Sequence, residues 1–169
     1  MDEIDTEALL YVLEDVPGRL APYVPTPHWL RETIARLLRE LKDTGAPDVV
    51  YEPGAGAGEA GETIEEVAKP RYYIGVEIDA SLARRARTRI QLGDIVVADL
   101  RRPPLRDRPY LIYSYLLPKP LAYVLEWSPK GSVVVSLEYE AENVPGDVRV
   151  EKHRIEAVFT THRIIVYRI

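Results

Sequence analysis

The chain has 169 residues, a net charge of −5 and no cysteine, so disulfides, thiolate metal sites and cysteine nucleophiles are excluded. Hydrophobic residues make up 46% and charged residues 29%, enough for one buried core and little room for a second domain. No apolar run approaches the roughly 18 residues of a membrane span, and the acidic residues 1–5 precede no apolar signal core, so a cytoplasmic protein is expected.

Residues 6–15 place Leu9, Leu10 and Leu13 at helical spacing, and Pro17-Gly18 ends the segment. Residues 21–27 carry three prolines and predict an extended loop. Thr26 is a good N-cap, with Pro27 in the first turn, for a helix over 28–42. Its apolar stripe is Leu30, Ile34, Leu37, Leu38 and Leu41. Residues 49–51 then predict a short buried strand, followed by a glycine-rich turn and a helix around Ile64, Val67 and Ala68. Strands are predicted at 72–78, 95–98, 110–117 and 132–137, with helices at 81–90 and 121–126 between them. Residues 148–169 read as a closing antiparallel pair. Strands alternating with helices predict an α/β fold with a mostly parallel sheet. Only Asn143 and Gln91 carry side-chain amides, and arginine outnumbers lysine 17 to 5. That composition suits a hyperthermophile.

The most informative segment is Val49-Val50-Tyr51-Glu52-Pro53-Gly54-Ala55-Gly56-Ala57-Gly58. A buried strand ends in an acid and runs into alternating glycines, which allow positive φ and close approach of a ligand to the backbone. The helix behind the turn offers free N–H groups. The second strand ends in Val76-Glu77-Ile78-Asp79, where Glu77 can accept both hydroxyls of a ribose. Strand, turn, helix, strand and carboxylate in that order point to a bound nucleoside. Gly56, Gly58 and Gly61 match the dinucleotide pattern G-x-G-x-x-G, but the glycines begin earlier, at Gly54, and the chain is too short for a substrate domain behind a dinucleotide fold.

The pattern hydrophobic-acidic-x-Gly-x-Gly-x-Gly resembles motif I of the seven-strand S-adenosylmethionine methyltransferases. The resemblance implies a Rossmann-like, seven-stranded, mostly parallel sheet with helices on both faces and a C-terminal antiparallel hairpin. It implies S-adenosylmethionine as cofactor and S-adenosylhomocysteine as product. By the same resemblance Glu52 helps to orient the methionine part, Glu77 binds the ribose and Asp99 reads the adenine amino group, with Pro53, Gly54, Gly56, Gly58, Ile78 and Leu100 also expected at the cofactor. Asp94, in Gly93-Asp94, competes with Asp99, which is preferred because it follows its strand.

The set Pro22-Tyr23-Val24-Pro25-Thr26-Pro27, the glycine turn, Gly75–Asp79, Tyr113–Pro118 and Gly131–Ser136 looks like the small archaeal protein-lysine methyltransferases. These are similar to the mitochondrial enzymes that modify a rotor subunit of ATP synthase, and more distantly to the non-SET histone lysine methyltransferase. The resemblance covers residues 22–139. It implies that the proline-rich loop folds over the cofactor, with Thr26 near its methionine part. A single domain over 1–169 is then expected, with an N-terminal helix and covering loop at 1–27 and the Rossmann-like core at 28–169. Some positions depart from the pattern: the family's Asp-Leu-Gly-Cys-Gly-Asp-Gly is here Glu-Pro-Gly-Ala-Gly-Ala-Gly, where Glu52 keeps the charge and Ala57 loses an acid, and Leu137 stands where a histidine is common.

The implied acceptor is a lysine side chain of a protein partner, and a monomer is expected. Tyr113 and Tyr115, expected on alternate faces near the end of the fourth strand, are the candidate walls of a substrate channel. Cytosine C5 chemistry lacks its cysteine, and Ser114-Tyr115-Leu116-Leu117-Pro118 has no side-chain carbonyl to accept an adenine amino group. RNA stays an alternative because residues 84–108 hold eight arginines against three acids, a possible phosphate-binding patch or a solvated charged face. A catalytically degenerate binding protein is the other alternative. His153 and His162 are expected to face each other across the last hairpin, and His28 sits beside Trp29. With no third ligand, no metal site is expected.

Overall fold

The computed structural model describes residues 17–20, 22–157 and 159–169, so the helix expected over 6–15 lies outside the described residues. In chain order the elements are α1 (His28–Asp43), β1 (Val49–Pro53), α2 (Glu59–Thr63), a π-helical turn (Ile64–Ala68), β2 (Tyr72–Glu77), α3 (Ala80–Arg89), β3 (Gly93–Val97), β4 (Leu111–Ser114), α4 (Pro118–Trp127), β5 (Val133–Leu137), β6 (Arg149–Glu156) and β7 (Thr161–Arg168). The strands form one sheet in the order β3-β2-β1-β4-β5-β7-β6. The first five are parallel, and β7 and β6 close the edge as an antiparallel pair. The Rossmann-like expectation holds.

Helices cover both faces, which is why the central strands read as unbroken apolar runs. All five residues of β1 and of β5 are buried. On one face Leu30, Ile34 and Leu38 of α1 pack with Val50, Tyr73, Ala83 and Val135. On the other, Leu121, Val124 and Leu125 of α4 pack with Tyr51, Ile112 and Tyr167. The exposed edge strand β6 carries charges at Arg149, Glu151, Lys152, Arg154 and Glu156, which discourages pairing with other chains.

Several local expectations are corrected. Pro27, not Thr26, is the N-cap of α1, and no side chain caps it; the Pro27 carbonyl accepts from the Leu30 and Arg31 amides. Behind the glycine turn α2 gives way to a π-helical turn rather than running on as an α-helix. Its geometry is held from outside: Lys42 Nζ of α1 donates to the Ala68 and Lys69 carbonyls, both at 2.9 Å. The buried Glu65 carboxylate accepts from the Gln91 and Leu92 amides, both at 2.8 Å. Strand β4 stops at Ser114, opposite Ser136, well short of residue 117, and Pro118 opens α4. Tyr113 and Tyr115 are two residues apart, so they share a face, and both pack on the α1 side of the sheet.

In a parallel sheet, ligands sit outside the carboxyl ends of the strands where the strand order switches direction. Here that point lies between β1 and β4.

Candidate functional site

A cavity opens at that switch point. It is lined by the proline-rich loop, the ends of β1, β2 and β4, and the segment after β3. Of the twelve site residues expected from sequence, Thr26, Glu52, Gly54, Gly56, Glu77, Ile78, Asp99, Leu100, Tyr113 and Tyr115 line it. Pro53 and Gly58 do not.

Its floor is built by alternating left-handed glycines. Gly54, Gly56 and Gly58 have φ of +73°, +56° and +86°, a conformation that side chains with a Cβ resist. The Gly54 and Ala55 amides both donate to the Val76 carbonyl of β2, at 2.8 and 3.0 Å. The Gly56 amide donates to Glu77 Oε2 at 2.8 Å, and the Asp79 amide to Glu77 Oε1 at 2.9 Å. One carboxylate thus fixes both the turn and the entry to α3, and each of its oxygens keeps a lone pair for a ligand. Asp79 itself caps α3, accepting from the Ser81 and Leu82 amides. Gly58 serves packing instead, letting the turn press against Ala86 of α3.

The loop before α1 lies over this floor. Arg19 pairs with Asp79 at 2.7 Å. The Tyr23 hydroxyl donates to Glu59 at 2.5 Å, and the Tyr23 ring sits so close that a Cβ on Gly56 would be 2.5 Å from it. Thr26, free of capping, places its Oγ1 3.4 Å from the buried Tyr113 hydroxyl, while its carbonyl accepts from Arg31 at 2.9 Å. Arg19, Tyr23 and Glu59 line the cavity and were not anticipated as site residues. Only the conspicuous proline spacing around Tyr23 hinted at them.

Carboxylates dominate the interior. Glu52, 5% exposed, accepts from the Tyr73 hydroxyl at 2.6 Å. Burial, reinforced by Glu59 and Glu77, pushes its pKa up to about 8 despite that hydrogen bond. Burial also raises Glu77, opposed by the Asp79 and Gly56 amides. Asp99 is held below the usual carboxylate range by its hydrogen bonds to Arg101, whose Nε is 3.0 Å away. Asp94 is elsewhere: it lies at the start of β3, does not line the cavity, and accepts from Tyr72 at 2.7 Å.

A buried acid with a raised pKa is bound to its proton more in the folded than in the unfolded chain between pH of about 4.5 and 8. Its effect on stability is therefore a loss as pH rises through that window, at most about 1.4 kcal/mol per pH unit for one group. Glu52→Gln is expected to flatten this part of the stability–pH curve, measured by denaturant melts from pH 5 to 9.

The end of the cavity beyond β4 is less regular. Tyr113 is buried, with its hydroxyl facing Thr26, and forms floor rather than a free channel wall. Tyr115 is half-buried and stacks on Tyr139, with ring centroids 6.1 Å apart and planes 23° apart. Between them in sequence, β5 ends in a one-residue turn: Glu138 has φ +69° and the Tyr139 amide donates to the Leu137 carbonyl at 2.9 Å. Such a turn at a residue with a Cβ costs about 1–3 kcal/mol and persists only where its surroundings impose it. Here Ser136 Oγ donates to the Tyr139 carbonyl at 2.8 Å, and the Glu138 amide donates to the Arg163 carbonyl at 2.8 Å. Leu137 is wholly core.

The histidines do not face each other squarely: His153 is opposite Ile164 and His162 opposite Ile155. His162 Nδ1 instead meets Glu138, and its ring lies 5.2 Å from the Trp29 ring, centroid to centroid, in an edge-type contact. Among the described residues no group of three or more His, Asp or Glu side chains is placed to hold a metal ion. No helix among them is long and apolar enough to cross a membrane. Within the arginine cluster Arg87 engages the Ile95 carbonyl, Arg89 Glu62, Arg101 Asp99 and Arg108 the Tyr110 ring. Arg84, Arg102 and Arg106 are exposed.

The sheet order, the acid-and-glycine turn after β1 and the acid ending β2 define the seven-stranded methyltransferase fold. No protein-family profile and no curated protein matches the sequence. Solved structures do match the fold. An RNA methyltransferase from Salinibacter ruber, in complex with S-adenosyl-L-homocysteine, is 22% identical with a TM-score of 0.61, over 86% of this chain and 92% of that one. The 23S rRNA methyltransferase ErmE is 14% identical with a TM-score of 0.62, over 86% and 69%. The plantazolicin methyltransferase BpumL, in complex with SAH, is 10% identical with a TM-score of 0.59, over 82% of each chain.

Proposed function

We propose that this chain is an S-adenosylmethionine-dependent methyltransferase whose acceptor is the side-chain amine of a protein lysine. The residues present suit the cofactor. Glu59 offers negative charge to the cationic methionine part, the buried Glu52 a carboxyl oxygen beside it, and Glu77 keeps lone pairs for two ribose hydroxyls. Ile78, Leu82, Ala98 and Leu100 supply an apolar wall for a flat base, beside Asp99. Bound there, S-adenosylmethionine supplies a methyl group on a positively charged sulfur and leaves as S-adenosylhomocysteine. The chain's own contribution is positional. It must strip water from an amine, favour its neutral form, and hold it in line at near-attack distance. A free lysine has a pKa of about 10.4, and desolvation beside a cation lowers it, so no dedicated base is needed.

The observation that favours an amine is the half-buried, stacked Tyr115–Tyr139 pair at the acceptor end, with a carboxylate, Glu138, beside it. Aromatic faces and carboxylates attract ammonium groups and repel phosphates. The rival reading, an RNA acceptor, draws on the RNA methyltransferases among the structural neighbours and on the exposed Arg84, Arg102 and Arg106.

Purified protein incubated with methyl-labelled S-adenosylmethionine and a heated lysate separates these readings. Label released by protease and recovered as methyl-lysine is expected. Label released by nuclease transfers the acceptor role to RNA. Calorimetric binding of S-adenosylhomocysteine with no label in either fraction identifies a binding protein that has lost catalysis.

A further inference from the structure

Four segments that are remote in sequence meet at the acceptor end: the N-terminus of α1 at Trp29, the chain after β4 at Tyr115, the turn after β5 at Glu138-Tyr139, and the start of β7 at His162. Their contacts form a continuous chain. Trp29 meets the His162 ring in an edge-type contact, and His162 Nδ1 is hydrogen-bonded to Glu138 Oε1. Glu138 acts electrostatically on the Tyr115 hydroxyl, and Tyr115 stacks on Tyr139. Tyr115 also lines the cavity at the switch point, so this cluster borders it directly.

The backbone is strained to build this cluster. At Glu138 the chain takes a positive φ that a glycine would take without cost, yet the residue there is an acid. The turn aims the Glu138 carboxylate at His162 and swings Tyr139 over Tyr115. With Oε1 engaged by His162, Oε2 is the oxygen that can accept from an N–H donor lying along the tyrosine pair.

We propose that Glu138, positioned by His162 and flanked by the Tyr115–Tyr139 pair, is the acceptor-recognition residue: it receives an N–H of the substrate's primary ammonium group at the edge of the cavity, before that group gives its proton to water and enters as the neutral amine. This rests on the methyltransferase reading above and adds the residue that selects the acceptor. A carboxylate beside two aromatic faces distinguishes an alkylammonium group from its neutral, acylated counterpart. His162 does not touch the substrate and acts by fixing the Glu138 rotamer.

The test is a titration of the full chain, saturated with S-adenosylhomocysteine, with N-acetyl-lysine amide and with its Nε-acetylated analogue. The aromatic proton resonances of Tyr115 and Tyr139 are followed by NMR. The free amine is expected to shift both rings and the acetylated analogue neither. Glu138→Gln is expected to weaken the amine at least about tenfold and His162→Asn by an intermediate factor, with S-adenosylhomocysteine affinity in both within about twofold of the parent chain. Tyr139→Leu keeps the turn's carboxylate and gives a second reading should Glu138→Gln not fold, with weaker amine binding again expected. Amine binding indifferent to all three changes overturns the proposal. So do equal shifts from both ligands, or ring shifts produced by a short oligoribonucleotide in place of the amine. Failure of the unaltered chain to bind S-adenosylhomocysteine would instead count against the methyltransferase reading itself, and is seen before the amine is added.

Discussion

Replacing Glu77 by Gln is expected to weaken S-adenosylhomocysteine binding about 100-fold while leaving the protein folded. The expectation follows from the two hydrogen bonds this side chain already holds, from the Gly56 amide at 2.8 Å and the Asp79 amide at 2.9 Å. Both oxygens meet N–H donors, and both retain lone pairs facing the cavity. Glutamine keeps the shape but offers a single acceptor oxygen, so its NH2 confronts one of these amides. It also removes the charge that strengthens hydrogen bonds to a diol. Hydrogen bonds to charged groups contribute about 1.5–3 kcal/mol each, and about 1.4 kcal/mol is a factor of ten in affinity. A stability loss of about 1–3 kcal/mol accompanies the change, since one buried donor is left poorly paired. Alanine would leave both amides unpaired and confound binding with folding, which makes glutamine the cleaner substitution. Calorimetric titration and a thermal melt of the same sample check the two effects together. Undiminished affinity would place the ligand away from Glu77.

Gly58→Ala is expected to destabilise the protein by about 2–5 kcal/mol. Gly58 has φ +86°, and an added Cβ would lie 2.9 Å from Ala86 Cα and 3.0 Å from Ala86 Cβ. The left-handed conformation alone costs a residue with a Cβ about 1–2 kcal/mol. The clash is with backbone of α3, which cannot swing aside as a side chain would, and overpacking of that kind costs about 1–3 kcal/mol. Gly146→Ala is the control: nothing lies within 4 Å of its added Cβ, so a change within about 0.5 kcal/mol is expected. Urea denaturation of the two variants and the parent chain measures the difference. Equal midpoints for Gly58→Ala and the parent would mean that the turn and α3 pack less closely than the structure has them.

The parts of the molecule written in local pattern were legible beforehand. The buried run 49–51, the glycines and the acid at 77 announce a strand, a turn and a second strand, because each rests on a few adjacent residues. The antiparallel close over 148–169 and the helix beginning at 28 are of the same kind. What the sequence does not carry is contact between remote segments. The π-helical turn depends on Lys42, back in α1, and on Gln91 and Leu92, beyond α3. Thr26 has an ideal capping side chain, yet it faces Tyr113, because Pro27 already starts the helix and the loop must lie over the cavity. The shared face of Tyr113 and Tyr115 was available from the period-two rule alone. Glu138 had no signal of its own, since a strained turn at a charged residue is visible only once φ is known.

The cavity between β1 and β4 is expected to bind S-adenosylmethionine through the acid-and-glycine turn and Glu77. Isothermal titration of the purified chain with S-adenosylhomocysteine, with NADH as comparison and Glu77→Gln as control, tests it most directly. One site for S-adenosylhomocysteine, no heat from NADH and a loss of about two orders of magnitude in affinity in the variant are the results expected. Saturable NADH binding, or S-adenosylhomocysteine binding that Glu77→Gln leaves intact, would contradict it.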